Sequence, residues 1–355
     1  MNVQEFVAFA STFILILGTT LNIIFIYAIR NGTRSAVGQV YKNIMTCFAV
    51  CNIGFAGAEF IAKPGIHIYG TSLMTFSHGI LQRMKPWGLL SLCVFIGMYG
   101  VTTALLSLHF VYRYVAVCRQ HLLRMFQKTT CVVAIILIIL SWGIIYGFIS
   151  FYCFAATDEY YKYANPSVYA KFGEDAHNLS FFCIFTYEVK GNATTIYWSS
   201  AIGLGTIYVM MLFTFVLMIF CGVQMYRTLR KSSMSQKSKK LQTQLLKALV
   251  VQAVIPFFTS YLSRTVMYTS VVIGLEPLPI YAFTPLVVTI YTVADPIAIM
   301  FFVCDFRQTV TNLKRNVQSI FCCLVRSEDQ SKSQRSVVIS EANGTRSGKT
   351  LATVY

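Results

Sequence analysis

Seven times along this sequence, 20 or more consecutive residues pass with hardly a charge among them. The runs are Phe6–Ile29, Asn43–Ala62, Trp87–Tyr112, Thr130–Ala156, Ile196–Tyr226, Ala248–Ile273 and Ile280–Val303. About 20 apolar residues carry an α-helix across the hydrocarbon core of a bilayer. The runs are apolar all round rather than on one face, so each needs lipid or another helix on every side. Lipid gives the backbone no water to bond, and spans this long must therefore be helical. A membrane β-barrel would show alternating segments of ~10 residues instead. The sequence predicts an all-α membrane protein, a bundle of seven transmembrane helices.

Composition matters here as a contrast. Charged residues make up 12% of the chain, against roughly 25% in soluble domains. The first run lacks a positive leader and a small-residue cleavage site, and its apolar stretch exceeds the ~7–15 residues of a secretion signal, so it reads as an uncleaved helix. No internal repeat is visible, which withholds support from an inverted-repeat transporter.

Basic residues set the expected orientation. Arg30, Arg34 and Lys42 follow the first run. Arg113, Arg119, Arg124 and Lys128 follow the third, and Arg227, Arg230, Lys231, Lys237, Lys239, Lys240 and Lys247 follow the fifth. These three segments hold no Asp or Glu, whereas Asp158, Glu159, Glu174, Asp175 and Glu188 lie between the fourth and fifth runs. The positive-inside rule then places the N-terminus outside and the C-terminus in the cytosol. The net charge of +16 is thus mainly a topology signal. Nucleic acid is a poor partner for charges in short loops beside lipid. Anionic lipid or a protein partner suits them better.

The chain divides into the bundle (1–303), an amphipathic membrane-surface helix (304–323) and a disordered cytosolic tail (324–355). Phe306, Val310, Leu313, Val317 and Ile320 share one face of the middle segment, as in helices that lie along a membrane. The Ser- and Lys-rich tail has too few apolar residues to fold alone. Cys322 and Cys323 are candidate palmitoylation sites or simply exposed thiols. Asn178 and Asn192 open glycosylation sequons in a predicted outer loop. Asn31 and Asn343 open sequons that fall inside. Cys153 and Cys183 either pair on the oxidising side or remain buried thiols.

Enzyme signatures are absent from the sequence. Gly344 to Thr350 resembles a phosphate loop but has one residue too few between its glycines and no preceding strand. The chain is therefore read as no enzyme, with no cofactor and no metal. Polar residues inside the runs say more, because they are costly in lipid. Asp295, directly before Pro296, should face the bundle interior. Asn22 and Asn52 are candidates for interhelical hydrogen bonds. His109 reads as structural. Glu59 and Lys63, four apart at a helix end, read as a surface ion pair. Arg264 either reaches out to headgroups or faces an interior cavity. Aromatics including Trp87, Phe95, Tyr99, Trp198, Tyr261 and Tyr268 gather in the outer halves, as belt residues or pocket walls.

Seven spans with the N-terminus outside look like a G-protein-coupled receptor. The stretch from His109 through Tyr112-Arg113-Tyr114 to Cys118 resembles the nematode Str family of chemoreceptors. So do Leu241 to Pro256, and Asp295-Pro296 through Arg307. That resemblance implies an olfactory or other chemosensory receptor in the plasma membrane, by family in the cilium of a sensory neuron. It would bind a small molecule outside and activate a heterotrimeric G protein inside. Arg113 matches the arginine of the rhodopsin-like Asp/Glu-Arg-Tyr motif, with Tyr112 in place of the acid. Ile299 stands where the Asn/Asp-Pro motif of the seventh span has tyrosine. Cys93 lies too deep for the usual disulfide to the outer loop.

From these residues come the expected sites. Arg264, Phe95, Tyr99, Tyr261 and Tyr268 would bind a neutral or weakly anionic ligand, since no acid in spans three, five or six invites an amine. Arg113, Tyr112, Tyr114, Lys239 and Lys240 would meet the G protein. Asp295, Pro296 and Pro256 would form the switch, with Pro256 bending the sixth span. A ligand-gated channel or small-solute transporter is the alternative. The inverted topology of the first and the mid-membrane charge clusters of the second are not seen.

Overall fold

The computed structural model describes residues 3–31, 38–78, 80–231, 235–275 and 278–302, and a few positions between 308 and 318. Seven helical segments in it are long and apolar enough to cross a membrane. They are α1 (Val3–Asn31), α2 (Gln39–Ala62), α3 (Trp87–Cys118), α4 (Thr129–Phe148, continued by a wide turn Ile149–Cys153), α6 (Trp198–Lys231), the pair α7 (Gln236–Pro256) and α8 (Ser263–Val272), and α9 (Thr284–Phe302). The seven-helix bundle read from the sequence is thus the fold.

Helices outrun the apolar runs mainly at the end that carries the basic loops, called the basic end below. α3 continues past Tyr112 to Cys118, α6 past Tyr226 to Lys231, and α7 begins before Ala248 at Gln236. Once a helix is nucleated by its apolar part, each added residue gains a backbone hydrogen bond, so polar ends extend it. α3 runs through the centre and touches α2, α4, α6 and α7. Its seam with α4 is built on glycine. A Cβ on Gly143 would meet Gly97 O at 2.8 Å and Val101 Cγ2 at 2.5 Å, and one on Gly100 would meet the Tyr146 ring at 2.7 Å. Lipid gives helices no hydrophobic reason to associate, so such close backbone packing does the work instead.

Pro256 removes one backbone donor from the sixth span. A wide, π-type turn, Phe257–Leu262, follows it directly before α8 resumes. Such a wide turn beside a proline is a regular site of helix bending. Pro296 sits within α9 without interrupting it.

The opposite end carries a cap. β1 (Pro64–Tyr69), β2 (Ser72–Ser77) and β3 (Phe181–Phe185) form an antiparallel sheet in that order. α5 (Asp158–Phe172) packs Tyr160, Ala164 and Val168 against it. β4 (Tyr187–Lys190) and β5 (Ala193–Ile196) form a separate hairpin. The β1–β2 turn leaves only Gly70 and Thr71 unpaired, and Gly70 takes φ +52°, which such two-residue turns require. The sequence reading does not contain this cap.

The chain divides at Phe306. In the unit that follows, Arg315 Nη2 donates to Asn312 Oδ1 at 2.7 Å. The proposed apolar face of the surface helix, the tail, Cys322, Cys323 and the Gly344 loop lie outside the described residues.

Candidate functional site: two buried arginines at opposite ends of the bundle

Near the cap, α3 and the sixth span bring together the five residues expected to bind ligand. Phe95, Tyr99, Tyr261 and Tyr268 are buried in one apolar cluster. Arg264, one turn from both tyrosines of its span, is 5% exposed, and its guanidinium carbon lies 3.9 Å from the Tyr99 ring centroid. Arg264 is thus packed inside the bundle rather than reaching out to headgroups. Phe95 stacks on Phe55 at 5.3 Å, and Tyr99 meets Tyr146 edge-on at 5.8 Å. Tyr261 is tied to Thr214 at 2.9 Å, whereas the Tyr99 hydroxyl has no partner among the described residues. Among those residues Arg264 forms no salt bridge; the ion pairs involve Arg83, His177 and Lys190, all in the cap. A guanidinium on an aromatic face is attracted by the ring quadrupole, yet it keeps its five donors for other acceptors.

At mid-bundle, Asp295 is 1% exposed and accepts from Gln252 Nε2 at 2.7 Å and Asn52 Nδ2 at 3.0 Å. Tyr291 donates to Asn52 Oδ1 at 2.7 Å, and Asn22 donates to Gly18 O and Thr292 O. This chain of bonds ties α1, α2, α7 and α9 together. Asp295, Asn22 and Asn52 were legible as buried polar groups. Gln252 and Tyr291 were missed, although a lone glutamine inside an apolar run carries the same signal.

At the basic end, Arg113 is 4% exposed, and its Nη2 donates to Gln242 Oε1 at 2.6 Å. Its guanidinium also lies 5.5 Å from the Tyr41 ring. Arg113 thus joins α3 to α7 where a carboxylate would normally serve. Tyr112 packs edge-on against Phe126 at 5.3 Å, and Tyr114 faces Phe220 at 6.1 Å. Lys239 is half-buried and Lys240 exposed in the first turns of α7, near Gln242 in sequence; among the described residues Arg113 hydrogen-bonds to Gln242 and to neither lysine. His109 is fully buried beside Tyr41, in keeping with a structural role.

One expectation is overturned. Glu59 and Lys63 are not a surface ion pair: Glu59 is 2% exposed and accepts from Ser11 Oγ at 2.6 Å. Helical spacing allowed either outcome. The approach of α1 carries Ser11 to the carboxylate, while Lys63 leaves the helix in a left-handed turn, φ +40°. In the cap, Asn178 and Asn192 are exposed, and Cys153 and Cys183 are free thiols. Burial, with Lys171 adding to it, pushes the His67 imidazole down to about 4, so it meets Ser167 as a neutral ring.

Comparison with known proteins decides what this bundle is. The family described as serpentine type 7TM GPCR chemoreceptor Str matches residues 7–311. The chain belongs to that family. The chain is 27% identical over 319 residues to serpentine receptor class r-10 of Caenorhabditis elegans, covering 87% of this chain and 89% of the relative. It is 26% identical to the Caenorhabditis briggsae protein of the same name, over 87% and 89%. It is 21% identical to G-protein coupled receptor str-33 of C. elegans, over 88% and 92%. As a Str chemoreceptor it is a multi-pass membrane protein of a receptor family, one whose members in general take a small ligand and a G protein as partners. This family is not known for enzymatic activity.

Proposed function

We propose that this chain is a chemosensory, in particular olfactory, receptor of the plasma membrane of a sensory cilium. It binds a small molecule at the capped end, outside the cell, and activates a heterotrimeric G protein at the basic end, in the cytosol. The observation that carries the reading is the Arg113–Gln242 bond between the third and sixth spans at the basic end. It closes the bundle where a G protein would have to enter. The wide turn after Pro256 offers the point about which the lower sixth span can swing away. Breaking the bond would free Arg113 beside Tyr112, Tyr114, Lys239 and Lys240, and a helical tail of the G protein would occupy the opened groove. Ligand promotes this only to the extent that it binds the open state better than the closed one.

On the ligand side, the aromatic core with one guanidinium suits a neutral or weakly anionic molecule bearing a carbonyl or carboxylate acceptor. Arg264 is its polar anchor, and Phe95, Tyr99, Tyr261 and Tyr268 its walls. The testing experiment is a screen of small acceptor-bearing molecules, read as G-protein nucleotide exchange and repeated on Arg264→Gln. The best agonist should be neutral or anionic, and its potency should fall by about tenfold or more in the variant, as loss of a charge-assisted hydrogen bond implies. An amine as best agonist, or an unchanged response in Arg264→Gln, removes this assignment.

A further inference from the structure

A cavity opens at the capped end between α1, α2, β1 and the start of the seventh span. Its volume is about 520 Å³, within the range of small-molecule sites. Ser11, Glu59, Lys63, Phe76, Lys171 and Phe172 line it, and neither Arg264 nor the four aromatics assigned with it does. Glu59 is the unusual member. Its carboxylate lies inside a membrane span yet uses only one oxygen on Ser11. Among the described residues Oε1 accepts no hydrogen bond, and no salt bridge reaches either oxygen. A carboxyl oxygen without a protein donor at a cavity wall is an acceptor that a ligand donor can fill.

The rest of the lining complements that acid. Lys63, in the left-handed turn that ends α2, lines the same cavity as Glu59. Lys171 joins it from α5, and His78, whose imidazole burial and Lys63 hold below its usual range, adds a neutral ring. Two lysines against one carboxyl leave the cavity positive. Phe76, Phe172, Ile66 and Pro279 supply an apolar wall.

We infer that this cavity is a ligand site for a small, singly anionic amphiphile, with a hydroxyl that donates to Glu59 and a carboxylate that meets Lys63 and Lys171. The apolar body between these groups lies on Phe76 and Phe172. The site goes beyond the Arg264 assignment and does not depend on it.

The test uses the full-length receptor in lipid nanodiscs, with 6-hydroxyhexanoate, hexanoate and hexylamine as probes. Binding is read as a rise in thermal midpoint and as slower thiol-reagent labelling of Ala282→Cys, a residue on the cavity wall. Hydroxyhexanoate should stabilise the receptor and slow labelling several-fold, hexanoate less so, and hexylamine not at all. Glu59→Gln, which keeps the side-chain volume, should erase the preference for hydroxyhexanoate over hexanoate. Lys63→Met with Lys171→Met should erase both effects. Arg264→Gln should leave them intact, which separates this site from the one proposed above. Absence of any effect in the wild type, hexylamine as the strongest binder, or effects that survive the Glu59 and lysine changes would overturn the inference. If Glu59→Gln fails to fold, the lysine variant and the labelling of Ala282→Cys still decide it.

Discussion

At Asp295 two amide donors from two other helices converge on one carboxylate, and all three side chains are buried within the bundle. Replacing the acid by an apolar group leaves both donors without their acceptor, which costs about 1–3 kcal/mol per stranded group. Asp295→Leu should therefore lower the thermal midpoint of the purified receptor clearly more than Asp295→Asn, which keeps an acceptor oxygen. Equal losses in the two variants would mean that the carboxylate does not hold the helices together. Residues of this kind were legible because a charge or amide inside an apolar run has few bland explanations. Their partners were not. Ser11 on Glu59 and Gln242 on Arg113 pair across 48 and 129 positions of sequence, and no local pattern announces contacts so distant.

Among the elements, the spans were readable because length and apolarity alone dictate a transmembrane helix. The cap was not. β3 pairs with β2, a hundred residues away in the chain, and its strands are runs of 5 and 6 residues that fit several structures equally well. The two-residue turns Gly70-Thr71 and Gly191-Asn192 carry a hairpin signal that the sequence expectations above do not include. The α3–α4 seam also had a signal that the sequence expectations above do not include: Gly143 and Gly147 lie four apart in an apolar run, the spacing that lets membrane helices approach closely. Gly143→Leu should separate the two helices and sharply reduce cell-surface receptor, because its side chain would strike Gly97 and Val101. Gly205→Ala, whose added carbon meets nothing within 4 Å, should leave surface amounts unchanged. Flow cytometry of a tagged receptor measures both. Normal expression of Gly143→Leu would contradict the packing described here.

For the whole molecule, the cap and the basic loops give the bundle two unlike ends, and the account requires the capped end to face outward. A tag at the N-terminus should be stained on intact cells, and one at the C-terminus only after permeabilisation; the reverse pattern would sink both the topology and the receptor reading. The central claim is that Arg113, bound by Gln242, couples the bundle to a G protein. It is tested most directly by guanine-nucleotide exchange in a heterotrimer reconstituted with the full-length receptor. Gln242→Ala, which removes the acceptor from Arg113, should raise basal exchange above the wild type. Arg113→Ala should hold exchange at the level of receptor-free membranes while surface expression stays intact. Equal exchange in wild type, Gln242→Ala and Arg113→Ala would contradict the account.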